Sequence, residues 1–231
     1  MDIRHHIQKL RLHLLEMSRV SLRTIDYSTK GGKLGYSELC LYFRNARREL
    51  DDCHHEITRL SQQLQAIEQI SVSDRIFALS AERIANCLRA ACFRARDVFR
   101  DTMLLRRNPR FVEGKRFLRM SDTVNGLMRL CVVALFKKEI SHAKTVLCSS
   151  SFVGYEAAEH SLKSQTGMEL SIVNDLREIA AQTHQMADAI VFWLENTDSR
   201  VESNVRKDRR AFREPLSAVY SVRLFERPLL T

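Results

Sequence analysis

The placement of proline constrains this chain more than any other feature of its sequence. Among 231 residues there are three prolines, Pro109, Pro215 and Pro228. Residues 1–108 and 110–214 are therefore two long stretches without proline. Because an internal proline removes a backbone donor and clashes with the preceding turn, such stretches are typical of helical proteins. Only 7 glycines are present, and no series of short alternating runs is found. The sequence predicts an all-α fold.

The spacing of apolar residues predicts three helices in each half of the chain, because these residues recur at intervals of three and four. A Gly-rich turn at 30–35 ends the first helix, and Ser37 is the expected N-cap of the second. The polar tract 148–151 is expected to interrupt the fifth helix. The predicted helices cover about residues 3–27, 37–69, 74–105, 114–138, 139–163 and 168–196.

The second half of the sequence echoes the first. Met120-Ser121 in the fourth predicted helix repeats Met17-Ser18 in the first. Between the halves, Pro109 forces Asn108 away from helical geometry, which marks a boundary there. We therefore predict two similar three-helix bundles in tandem, which suggests an internal duplication. The predicted domains are 1–108, 109–196 and a basic C-terminal tail, 197–231.

The net charge of +9 favours acidic partners: nucleic acid, anionic lipid headgroups or an acidic protein surface. Two arginine-rich stretches either form a stripe that attracts phosphate or pair with acidic neighbours such as Glu49 and Asp97. These stretches are Arg44, Arg47 and Arg48, and Arg89, Arg94 and Arg96. Aromatic residues do not interleave with the basic ones, which argues against binding single strands by base stacking. Phe192 and Trp193 are expected to anchor the core.

The cysteines and the N-terminus favour a cytoplasmic protein. The six cysteines have irregular spacing, the N-terminus is polar from its start, and no apolar run reaches membrane-spanning length. We expect reduced, mostly buried thiols and a soluble chain. The cysteines are Cys40, Cys53, Cys87, Cys92, Cys131 and Cys148.

One cluster, Asp51 to Glu56, contains nearly every type of metal-binding side chain. Adjacent helical residues point about 100° apart, so only pairs such as Asp51 with His55, or Asp52 with Glu56, could bind a metal weakly. The sequence has no HExxH, CxxC, GxSxG, P-loop or GxGxxG motif. We predict no catalytic, cofactor-binding or metal-binding residues, no cofactor and no enzyme; a metal-dependent enzyme built on this cluster is the open alternative.

Six short segments carry a recognisable order and spacing: 14–17, 56–60, 67–75, 143–147, 175–179 and 190–193. In the first half, Glu56-Ile57-Thr58-Arg59 lies on a helix that is followed by a turn opening the third helix. Together these segments resemble the PhoU family of phosphate-transport regulators, whose members have a similar E-I-x-R helix and turn. The resemblance extends from about Ile7 to Asn196.

Family members carry an acidic signature, E-R-I-G-D or similar, on the third helix of each half, and its carboxylates hold multinuclear metal clusters. We place the equivalent segments at 86–92 and 175–181, where arginine, cysteine and alanine replace the acids. Arginine repels a divalent ion, and alanine offers no oxygen ligand. We therefore do not transfer the metal sites. The replacing residues are Arg89 and Cys92 in the first half, and Arg177 and Ala181 in the second.

The resemblance implies a function by docking rather than by chemistry. It implies a cytoplasmic, homodimeric adaptor in phosphate transport or phosphate-responsive signalling, whose partners are components of a phosphate transporter or a sensor kinase. Contact with the membrane is expected only through those partners. The alternative is a basic, helical nucleic-acid-binding protein, which the net charge and the arginine-rich tail favour.

Overall fold

The computed structural model describes residues 2–30, 35–106, 115–161 and 167–198, and these form six helices with no strand among them. The all-α prediction is confirmed. Of the predicted tail, residues 199–231 lie outside the described residues. None of the helices in the described ranges is both long and apolar enough to span a membrane. The helices are α1 (Ile3–Lys30), α2 (Tyr36–Gln65), α3 (Val72–Arg106), α4 (Lys115–Lys137), α5 (Ile140–Ser161) and α6 (Gly167–Asp198).

The start of α2 differs from the prediction. Gly35, not Ser37, is the N-cap, and its backbone N–H donates to Glu38 Oε2 at 2.9 Å. A glutamate three residues into a helix can therefore satisfy a free donor even where the cap residue has no side chain. Ser71 caps the start of α3, because Asp74 N–H donates to Ser71 Oγ at 3.0 Å.

Helix α5 continues through the polar tract 148–151, so the predicted interruption is wrong. Ser150 Oγ donates to the Leu147 carbonyl at 3.1 Å, and Ser151 Oγ donates to the Cys148 carbonyl at 3.0 Å. These hydroxyls are satisfied by the preceding turn of the helix, so they do not compete with its backbone hydrogen bonds.

The six helices pack as two sets of three. Helices α1, α2 and α3 contact one another, as do α4, α5 and α6, and the most extensive contact between the sets joins α3 to α6. Three pairs fix an antiparallel register for α3 and α6: Phe77 with Trp193, Arg83 with Asp188, and Asp101 with Ser171. A smaller contact joins α1 to α4, where Asn125 donates to Thr29 at 3.1 Å. The arrangement matches the predicted pattern of two three-helix units.

A single buried apolar cluster includes residues from all six helices. The sequence echo between the halves has a counterpart here: Met17 and Met120 are fully buried, and Ser18 and Ser121 beside them are nearly so. Within the described residues, neither serine hydroxyl has a hydrogen-bond partner. The apolar cluster is continuous between the halves, so the domain boundaries at 108 and 196 remain a prediction.

The end of α6 corrects one expectation about the core. Trp193 is 4% exposed and lies 4.9 Å from the Phe77 ring, whereas Phe192 is 43% exposed and does not belong to the core. The turn between α4 and α5 approaches Trp193 as well, since Lys138 Nζ lies 5.7 Å from the tryptophan ring centroid. Lys138 follows the last residue of α4 and has a φ of 57°, a left-handed conformation that costs a non-glycine residue about 1 kcal/mol.

Four of the six cysteines are buried, Cys40 is half-buried, and only Cys148 is exposed. Burial raises the pKa of the Cys53 and Cys87 thiols to about 11 and that of Cys92 to about 12. These thiols stay protonated at neutral pH and are poor nucleophiles.

Thiol labelling should therefore distinguish Cys148 from the buried cysteines. We expect iodoacetamide to modify Cys148 rapidly in the native protein and the four buried thiols only after denaturation. Mass spectrometry of labelled peptides measures this directly, and Cys148→Ser should abolish the fast phase. Fast native labelling of Cys92 or Cys131 would contradict the packing of α3 and α4.

Candidate functional site at the interface of α3 and α6

Charged side chains line the border between α3 and α6 at several levels. Near one end, Arg83 donates to Asp188 Oδ2 at 2.9 Å, with both side chains about half exposed. Nearer the middle, Arg94 donates to Asp175 Oδ1 at 3.3 Å. Exposed ion pairs contribute about 0–1 kcal/mol each, so the Arg83–Asp188 pair adds little to stability. It helps to fix the register of α3 against α6.

The Asp175 side chain is only 11% exposed, and it lies near two further carboxylates on α3, Asp97 and Asp101. Asp101 accepts hydrogen bonds from Arg100 at 2.8 Å and from Ser171 at 2.9 Å. Desolvation raises the pKa of Asp175, the Arg94 guanidinium opposes this, and the charges of Asp97 and Asp101 reinforce it. A carboxylate whose ionised form is disfavoured by the fold is often retained for function.

Replacing Asp175 with asparagine should stabilise the protein at neutral pH. Folding raises the pKa of Asp175, so the protonated form is favoured in the native state, and stability is lost as pH rises through that pKa. We expect Asp175→Asn to raise the free energy of unfolding at neutral pH, because the amide carries no charge that burial disfavours. Denaturant titration at two pH values measures the difference, which should vanish below the ordinary aspartate range.

The matched control is Asp188→Asn, which neutralises an exposed carboxylate on the same helix. It should change stability by less than about 1 kcal/mol at either pH. Destabilisation by Asp175→Asn at neutral pH would mean that the ion pair with Arg94 outweighs desolvation.

The cluster from Asp51 to Glu56 disperses over the surface of α2. Asp51 accepts from Arg89 at 2.8 Å, and Glu56 pairs with Arg59 at 2.7 Å. His54 Nε2 lies 2.7 Å from Asn86 Oδ1 on α3. One member of each pair that the sequence suggested for weak metal binding, Asp51 or Glu56, is thus in an ion pair with arginine.

The acidic signature of the resembled family also matches the sequence at a second place on α3, a few residues before the one we assigned. The letters E-R-I-G-D match Glu82-Arg83-Ile84-Ala85-Asn86 on α3, with alanine for glycine and asparagine for aspartate. The corresponding segment of α6 is His184-Gln185-Met186-Ala187-Asp188. Both segments have the same burial pattern, since Ile84, Met186 and the alanine after each are fully buried. The equivalence with 86–92 and 175–181, of which the first shares Asn86 with the segment 82–86, stays a prediction.

The four polar positions of these two segments do not fit a multinuclear metal cluster. Only two of them, Glu82 and Asp188, carry carboxylates, and each position is held by another side chain. Within the described ranges, no three His, Cys, Asp or Glu residues converge as metal ligands would. The contacts join Glu82 to Ser61 (3.2 Å), Asn86 to His54 (2.7 Å), His184 to Ser150 (2.7 Å) and Asp188 to Arg83 (2.9 Å).

A second charged feature lies on the surface between α2 and α3, where three arginines surround the half-buried Phe93. The guanidinium carbons of Arg89, Arg47 and Arg96 lie 5.2, 5.6 and 6.0 Å from the centroid of its ring. We call these four residues the Phe93 arginine cluster. Its arginines come from both arginine-rich stretches of the sequence. Arg94, from the second stretch, instead pairs with Asp175 on α6. A shallow groove beside the ring is lined by Thr24, Phe43, Ala46, Arg47, Leu50, Cys92, Phe93 and Arg96.

No family model matches the sequence, and no curated protein is significantly similar to it. The structure, however, is similar to the crystal structure of PhoU from Pseudomonas aeruginosa, with a TM-score of 0.73. The match covers 84% of this chain and 100% of that chain at 14% sequence identity. The chain has a PhoU-like fold.

The PhoU-like fold confirms the resemblance read from the sequence, and it explains why short motifs could reveal it. Sequence reasoning overlooked the segment Glu82–Asn86, although three of its five letters are identical to the family signature. The sequence also offered no indication of a role for Phe93, because the arginines around it lie on two helices, α2 and α3, that come together only in the folded protein. Arg47 and Arg89 are 42 positions apart in the sequence, yet both contact Asp51.

Proposed function

We propose that this chain is a PhoU-like, non-enzymatic adaptor that regulates phosphate transport or phosphate-responsive signalling by binding other proteins. The observation that carries the proposal is the fold, which is similar to PhoU from Pseudomonas aeruginosa over the whole length of that chain. The ordered sequence motifs support the proposal independently of the fold.

The side-chain contacts between α3 and α6 support binding rather than chemistry. The carboxylates that remain at the signature positions are hydrogen-bonded by Arg83 and Ser61, so the chain's own groups stabilise them. Buried thiols with raised pKa values do not serve as nucleophiles. Recognition of a partner protein would then depend on exposed charges, because charged groups at the edge of an interface speed association and discriminate between partners.

The proposed partners are a component of a phosphate transporter or a sensor kinase. The adaptor is proposed to be a cytoplasmic homodimer that reaches the membrane only through these partners. Sedimentation equilibrium tests the oligomeric state: a concentration-dependent mass of two chains supports the homodimer, and one chain at all concentrations contradicts it.

Deletion of the gene tests the proposed function. In phosphate-rich medium, we expect the deletion strain to take up labelled phosphate faster and to express phosphate-starvation genes that the parent strain represses. A plasmid copy of the wild-type gene should restore repression. Unchanged uptake together with unchanged expression would contradict the proposal.

The alternative function is nucleic-acid binding, and the composition of the C-terminal segment favours it. Residues 199–231 contain eight Lys or Arg against four Asp or Glu. An electrophoretic shift whose salt dependence is steep would support this alternative, since counterion release dominates such binding. Absence of a shift at low salt would exclude it.

A further inference from the structure

The Phe93 arginine cluster differs from the other charged surfaces because its guanidiniums are held in place by an aromatic ring. We propose that it is a docking site for an acidic segment of a partner protein. The inference rests on the proposed adaptor function and names the surface that performs it. Contact with the Phe93 ring restricts each guanidinium before a partner arrives. Less conformational freedom is then lost on binding.

The charge of the cluster is only partly compensated. Arg47 and Arg89 share a single carboxylate, Asp51, at 3.7 and 2.8 Å. Arg96 lies 3.5 Å from Asp97, which also contacts Arg100. The guanidinium side chains of Arg47, Arg89 and Arg96 remain 39–57% exposed. A positive surface with accessible N–H donors therefore faces solvent.

Asp51 indicates which anion fits this surface. Its carboxylate lies between two of the stacked guanidiniums and bonds to one of them, so it stands in for a carboxylate supplied by a partner. The groove beside Phe93 is too small to accept a further side chain, so recognition at this surface rests on the exposed guanidiniums. A segment with several carboxylates can pair with more than one guanidinium at a time, which a single inorganic ion does less well.

The chain's own C-terminal segment is an unsuitable occupant. Residues 199–231 carry more basic than acidic side chains, so the cluster repels rather than attracts them. A symmetric contact between two copies at this surface would bring two positive clusters together, so the proposed homodimer is expected to form through another surface.

The test uses the full-length protein and a short fluorescent peptide of alternating glutamate and leucine, at physiological ionic strength. The variant Arg47→Gln/Arg89→Gln/Arg96→Gln should weaken binding about tenfold, the combined effect of three exposed charge pairs. The matched control, Arg59→Gln/Arg129→Gln/Arg177→Gln, removes the same charge from α2, α4 and α6 and should bind like wild type. Circular dichroism establishes that each variant is folded.

A second variant separates guanidinium recognition from charge alone. Arg47→Lys/Arg89→Lys/Arg96→Lys retains the charge but loses the planar donors and the stacking, so we expect it to bind more weakly than wild type. A peptide with glutamine in place of glutamate should not bind.

Three results would overturn the proposal: equal loss of binding in the matched control, no loss in the cluster variant, or tighter cluster-dependent binding of single-stranded DNA or phosphatidylglycerol vesicles. The failure of the proposed function is separately visible. If the cluster variant restores phosphate repression in the deletion strain, the adaptor function stands and this docking surface is wrong. If wild type binds the peptide but deletion leaves phosphate uptake and gene expression unchanged, the adaptor function fails independently.

Discussion

Replacing Trp193 with alanine is expected to lower the free energy of unfolding by about 3–5 kcal/mol, the usual cost of truncating a buried tryptophan. Trp193 is 4% exposed and packs on Phe77 across the interface of α3 and α6. Its loss therefore leaves a cavity between the two halves of the molecule and removes an aromatic pair. Urea denaturation followed by circular dichroism measures the change.

Phe192→Ala provides the matched control, because it removes a neighbouring aromatic side chain from the same helix. Phe192 is 43% exposed, so its truncation should cost less than about 1 kcal/mol. Equal losses for the two variants would contradict the orientation of α6, since a rotation of about 100° along the helix separates the two side chains.

The second large effect is expected at the repeated methionines, Met17 in α1 and Met120 in α4. Both are fully buried, and alanine at either position should cost about 2–5 kcal/mol. Since one apolar cluster connects the halves, we expect each substitution to shift a single unfolding transition of the whole protein. Trp193, the only tryptophan, reports on α6 by fluorescence, while circular dichroism reports on all helices.

The decisive experiment follows the unfolding of Met17→Ala by circular dichroism and by Trp193 fluorescence, because the substituted residue and the tryptophan lie in different halves. Coincident shifts by both methods would mean that the halves unfold together. Two separate transitions, of which Met17→Ala shifts only one, would mean that the predicted domains, 1–108 and 109–196, unfold independently. Leu12→Ala, on the same helix as Met17 but 64% exposed, should have little effect.

The helices could be predicted from the sequence because their signals are local. The spacing of apolar residues located all six, and the Met-Ser echo identified two side-chain pairs that occupy equivalent buried places. Errors arose where a neighbouring group decided the outcome. Glu38 caps α2 by accepting a hydrogen bond from the backbone of Gly35. The hydroxyls of Ser150 and Ser151 donate to backbone carbonyls in the preceding turn of α5.

The candidate sites could be predicted only in part, because their residues come from distant positions. Arg83 and Asp188 are 105 positions apart, and only the antiparallel packing of α3 and α6 brings them together. Charge composition pointed to basic surfaces but could not select which arginines converge on Phe93. The segment Glu82–Asn86 can be recognised in the sequence by its three identities with the family signature. We placed the signature four residues further along, at 86–92, so different side chains were compared with it.

Crosslinking in living cells, with the tagged protein expressed from its own gene, tests the proposed adaptor function most directly. Mass spectrometry would identify the crosslinked proteins from cultures grown with abundant and with limiting phosphate. We expect a phosphate-transporter or sensor-kinase component, crosslinked to an extent that changes with phosphate supply. Recovery of nucleic acid or of unrelated proteins alone, identical in both media, would contradict a role as a PhoU-like regulator.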